Sequence, residues 1–153
     1  MKLIVFLCIV LAFTYYDHQA PKKTEILSSN PDLIGQWSGD CSFMNETLDE
    51  QFGFFPIVMN IKSDHSITVE IGEAQTENIE IKEAEYGFTI SGDIDGEIDK
   101  RNPLSRKHFL LLLVLPDEQN SDVNRSEANL HLKKGNRFDF GMIVCGMTLL
   151  KSN

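Results

Sequence analysis

The residues able to do chemistry are spread along this chain, not gathered in one motif. The densest group of carboxylates is Asp93-Ile94-Asp95-Gly96-Glu97-Ile98-Asp99. Calcium loops place carboxylates at alternate positions around a glycine. With Gly96 at the sixth position of such a loop, Ser91 takes the first and Asn102 the last, and neither is the carboxylate required there. A strand accounts for every residue: Phe88, Ile90, Gly92, Ile94, Gly96 and Ile98 fall on one face and Asp93, Asp95, Glu97 and Asp99 on the other. The run is therefore read as a solvated acidic face. His18, His65, His108 and His131 are dispersed, none at ligand spacing from another or from a cysteine. The chain has no Gly-x-Ser-x-Gly and no phosphate-binding loop. The expectation is a protein that is not an enzyme, with no catalytic residue, no metal and no cofactor, and the sequence names no ligand-binding residue.

The elements that would position any site read as strands. From Trp37 the chain alternates, with Trp37, Gly39, Cys41 and Phe43 on one face and Gln36, Ser38, Asp40 and Ser42 on the other. Met44 to Phe52 reads as a polar loop, and Phe55 to Lys62 as a second strand with Phe55, Ile57, Met59 and Ile61 inward. Ser63-Asp64-His65 predicts a tight turn before a third strand of Ile67, Val69 and Ile71. Gly72 to Thr76 reads as a turn, Ile79 and Ile81 as a short fourth strand, and Phe88 to Ile98 as a long fifth. His108 to Leu115 is apolar at nearly every position, which predicts a sixth strand buried on both faces or covered on its second. Ala128, Leu130 and Leu132 mark a seventh. Lys133-Lys134-Gly135-Asn136 is a hairpin turn, and Arg137 to Leu150 is the last strand. Eight strands joined by short connections, with almost no helical period, predict an all-β antiparallel up-and-down barrel; a two-sheet sandwich is the alternative.

The chain has 153 residues, which suits one domain with a leader, and its net charge of −9 argues against a nucleic-acid partner. Lys2 followed by the apolar run Leu3 to Phe13 has the design of a secretory signal. Residues 1–20 are read as that signal peptide, with cleavage after Ala12 or Ala20. An uncleaved N-terminal anchor over residues 3–16 is the alternative, and the membrane would be met only through that segment. Residues 21–34, with two prolines, two serines and an asparagine, are read as a linker, and 35–153 as the barrel domain. Asn45 and Asn124 each open an Asn-x-Ser/Thr sequon.

Of three cysteines, Cys8 falls in the leader. Cys41 stands in the first strand and Cys145 in the last, and closure makes those strands neighbours. An exported chain can oxidise the pair. Counting in twos from Phe138 and Phe140 turns Cys145 outward, so the bridge requires a one-residue bulge, placed at Gly141. Two buried free thiols are the alternative.

Leu33-Ile34-Gly35-Gln36-Trp37 resembles the Gly-x-Trp opening of lipocalins and their calycin relatives. The resemblance implies a barrel whose first-strand Trp, here Trp37, plugs the closed end; the barrel reading and its inward Phe, Ile, Leu and Met side chains are what suggest an apolar small molecule or lipid inside. The Thr-Asp-Tyr motif of that family is missing, and Arg137 precedes the last strand instead of following it. Gly35-Gln36-Trp37 is also similar to the opening of small periplasmic inhibitors of metalloproteases, eight-stranded barrels too, although their closely spaced cysteine bridge is absent. The expectation is an exported barrel, periplasmic or secreted, that binds an apolar small molecule or lipid. A packed interaction or inhibitor protein with a protein partner is the alternative.

Overall fold

The alternation after Gly35 becomes strand β1 (Gly35–Phe43), around which a computed structural model builds the chain. The structure describes residues 22–100, 106–114, 125–134, 137–138 and 143–150. The strands that follow are β2 (Phe55–Ile61), β3 (Ile67–Ile71), β4 (Ala74–Ala84), β5 (Gly87–Asp95), β6 (His108–Val114), β7 (Arg125–Lys134), the short β8 (Arg137–Phe138) and β9 (Ile143–Leu150). Every pairing is antiparallel. Each strand from β1 to β7 pairs with the next, β7 pairs with β9, and β9 returns to β1 from Gln36↔Leu150 to Phe43↔Ile143. The result is a closed, eight-stranded up-and-down barrel, with β8 a stub beside the end of β7. Closure leaves the wall without the free edges that invite aggregation.

The wall obeys the period-2 rule. Ile57, Met59, Ile71, Ile90, Leu111, Leu113, Leu130, Ile143 and Met147 point inward, each with no more than 0% of its surface exposed. The outside carries Glu70, Gln75, Glu80, Lys82 and Asp95, all exposed. This is the reverse of a membrane-spanning barrel, whose apolar band faces out. No described helix is long and apolar enough to cross a membrane.

A short helix stands at each end of the barrel. At the end where β1 begins, α1 (Lys23–Ser29) and a 3-10 turn (Pro31–Leu33) bury Ile26, Leu27 and Leu33 in the barrel's own core. The segment read as a linker is thus in part a folded cover. Its apolar residues are too few and its helix too short for a 3.6-residue period to show. The helix begins where the Lys22 backbone N–H donates to Glu25. Ser28 meets His65 of the β2–β3 turn at 3.3 Å, and α1 packs against β4. At the other end the stretch read as a polar loop holds a second helix, α2 (Glu46–Phe52). Asn45 caps it by accepting from the Leu48 N–H at 3.1 Å. The Phe52 ring lies 5.5 Å from that of Phe43, and Phe43 lies 5.9 Å from Phe55, so an aromatic cluster joins this helix to β1 and β2.

Four strand readings need correction. The β3–β4 turn is tighter than Gly72 to Thr76: Gly72 takes φ +60° and a Cβ there would lie 2.0 Å from the Ile98 carbonyl oxygen, so only glycine fits. β4 is accordingly an 11-residue strand, not a short one. β5 stops at Asp95 and Ile98 reaches the core from the following loop, because Gly96 at φ +100° turns the chain. β6 buries only Phe109, Leu111 and Leu113; Leu110, Leu112 and Val114 stand half-buried on the outer wall. The last strand is divided into β8 and β9. Position 141 lies outside the described residues, but Cys145 faces inward with Ile143 and Met147, as the bridge requires.

Candidate functional site

The sequence-predicted pair is joined: Cys41 and Cys145 form a disulfide, with Cα atoms 4.1 Å apart, at directly opposed positions of β1 and β9. Both are fully buried among the inward side chains. Trp37 is 3% exposed, and its indole Nε1–H donates to the Leu33 carbonyl at 2.9 Å. That bond ties the first turn of β1 to the covering segment and satisfies the one polar atom of a buried indole.

The polar residues that come together on the outer wall are ones the sequence left apart. Glu77 of β4 pairs with Asp93 and Glu80 with Ser91, so three steps on β4 oppose two on β5. This is a β-bulge. Asn78 sits in it at φ +53°, a left-handed conformation that asparagine tolerates better than most residues. The bulge carries its backbone over Gly92, where a Cβ would stand 2.7 Å from the Glu77 carbonyl oxygen and 2.9 Å from the Phe109 ring. A side chain at 92 would push the bulge away.

The bulge aims Asn78 at its neighbour. Asn78 Nδ2 donates to Asp93 Oδ2 at 2.8 Å, while Asp93 Oδ1 meets His108 Nδ1 at 2.5 Å. Asp93 and His108 are directly opposed in the β5–β6 ladder. Hydrogen bonds from Asn78 first, and then from His108, hold the Asp93 carboxyl below the ordinary aspartate range, against a smaller opposing effect of desolvation. An ionised carboxylate only accepts, so His108 must donate from Nδ1. With Nδ1 given to Asp93, Nε2 is the ring nitrogen left for an incoming group. Glu80, Ser91, Leu110 and Lys133 complete the rim of an open depression of about 550 Å³ over this cluster. It offers a fixed acid–base pair, an amide and apolar contact, which suits recognition of a polar group on a partner.

The remaining candidates do not assemble. His65 lies in the β2–β3 turn beside Ser28, and His131 is half-buried on the outer face of β7, opposite Leu110. His18, Cys8, Asn102 and Asn124 lie outside the described residues. Asp95 and Glu97 are exposed and no described group of three or more His, Cys, Asp or Glu is placed to hold a metal ion. One sequence signal did mark the bulge. Ala74 and Thr76 share one parity, Ile79 and Ile81 the other, and such a slip of phase within one strand is what an inserted residue produces.

Comparison with known proteins gives no match to any family, any curated protein or any solved structure.

Proposed function

We propose that this chain is an exported interaction protein, whose barrel is a filled scaffold and whose outer wall makes the contacts. One observation carries the reading. Apart from Ile79 beside the bulge, which is partly buried, the inward apolar side chains of the described strands are between 0% and 7% exposed, and a lumen wide enough for a ligand would leave its lining accessible. The cover formed by α1 and the 3-10 turn, which buries Ile26, Leu27 and Leu33 in the core, supports it further. Export is supported by the apolar leader and by a buried disulfide, a bond that persists in oxidising compartments. On this reading the likeness to lipocalins is one of architecture: Trp37 closes one end, as in that family, but no container remains. The bulge-borne Asn78–Asp93–His108 cluster is the contact point we assign to a protein partner.

The test is native mass spectrometry of protein gently purified from its own host. The expected outcome is a bare chain mass, or that mass plus a protein. A stoichiometric apolar small molecule travelling with the chain overturns the filled-scaffold reading and restores the ligand carrier. Substituting His108→Ala should weaken any protein complex so recovered while leaving the fold intact by circular dichroism.

A further inference from the structure

We propose that Asn45 carries an N-linked oligosaccharide, attached as the chain passes through an oxidising secretory compartment. The proposal rests on the export reading above. Asn45-Glu46-Thr47 is one of two sequons in the chain, and the structure separates them. Asn45 and Thr47 are both exposed, at the start of α2 on the rim of the barrel. In Asn124-Arg125-Ser126 the hydroxyl residue is instead 3% exposed within β7, so folding withdraws it into the wall. The first sequon stays open to the transferase before and after folding.

The cap geometry leaves the reacting atom available. The Asn45 side chain accepts from the Leu48 N–H through Oδ1, which glycosylation does not touch. Among the described residues, Nδ2 has no hydrogen-bond partner, and it is the atom that reacts. In the transfer, Nδ2 loses one proton and bonds to the anomeric carbon of a lipid-pyrophosphate-linked oligosaccharide. The bond from that carbon to the pyrophosphate oxygen breaks and the lipid pyrophosphate leaves with the electron pair. No oxidation or reduction is involved. The attached sugar keeps the helix cap and projects from a rim where Met44 and Phe54 are 63% and 72% exposed.

The experiment is peptide mapping by mass spectrometry of protein recovered from outside the cells of its own host, with and without an N-glycan-releasing amidase. The expected result is an Asn45 peptide heavier by an oligosaccharide, converted by the amidase to Asp at that position. Thr47→Ala should abolish the added mass without touching the cap. Asn45→Asp should abolish it as well while still accepting from the Leu48 N–H. External protein with an unmodified Asn45 peptide overturns the proposal and leaves export standing. Protein found only inside the cell and unmodified overturns both. Retention of the mass on the same peptide in Thr47→Ala also overturns it.

Discussion

The Asp93 carboxylate shows how much one side chain owes to a single inserted residue. Its hydrogen bond from Asn78 exists because the bulge between Glu77 and Glu80 turns Asn78 toward it. Its bond from His108 exists because the register sets the two residues opposite each other. The folded pKa of Asp93 is lowered from its ordinary value of 3.8. A lowered folded pKa means that ionised Asp93 stabilises the fold fully above that ordinary value. The contribution is lost as pH falls through the lower folded value. Asp64 behaves in the same direction, because the Ser66 hydroxyl and backbone N–H both donate to it. Asp93→Asn keeps an acceptor but removes the titration. Urea unfolding should therefore find the variant less stable than the parent at neutral pH, with the gap closing on acidification below about pH 4. A gap that stays constant to the lowest pH would show that the charge of Asp93 contributes nothing. This cluster was not legible in the sequence, since the Asp93–His108 pairing depends on the β5–β6 register across a connection from Gly96 to Lys107, and the Asn78 contact depends on the bulge in β4. The cysteines were legible, because only two remained once the leader was set aside, and closure decides which strands meet.

At the scale of elements, strands announced themselves and short helices did not. A strand that is wet on one side writes its facing into every second residue, as in Phe55, Ile57, Met59 and Ile61. Seven-residue helices span about two turns, too few for a periodic stripe to rise above composition. In α1 the adjacent Ile26 and Leu27 are 1% and 0% exposed, yet stand among Lys, Thr, Glu and Ser. Their burial is decided by the barrel end beneath them, which the local sequence does not contain. The consequence is measurable. Leu27→Ala should destabilise the whole barrel by about 2–5 kcal/mol, the usual range for a buried leucine whose cavity cannot collapse. Denaturant titration followed by Trp37 fluorescence reads both the loss and its location, because Trp37 bonds to Leu33 of the same segment. A near-neutral midpoint would demote α1 from cover to appendage. β6 shows the opposite error: its continuous apolar run suggested a strand covered on both faces. In the fold its outer residues Leu110, Leu112 and Val114 remain half-buried on the wall, between the polar outer faces of β5 and β7.

The molecule as a whole is closed twice, once by hydrogen bonds between β1 and β9 and once covalently at the same register. Cys41 and Cys145 are 104 residues apart in sequence, so the bridge restrains nearly the entire domain when it unfolds. The ladder already holds these two strands together in the folded state. Its main action is thus on the unfolded chain, whose entropy it lowers. For a loop of this length the chain-entropy relation gives about 4.7 kcal/mol at 25 °C, less any cost of fitting the bridge into the wall. A Cys41→Ala, Cys145→Ala double variant should keep the far-ultraviolet circular dichroism of the barrel in the absence of denaturant. It should nevertheless unfold at a markedly lower urea concentration. Because both sulfurs lie in a core with no exposed surface, reductant should reach them only when the barrel opens. Reduction under native conditions should consequently be slow and accelerate with small additions of urea, following the population of the open form. Fast reduction independent of urea would mean that the β1–β9 seam opens locally, and would make closure the weakest part of the barrel instead of its anchor.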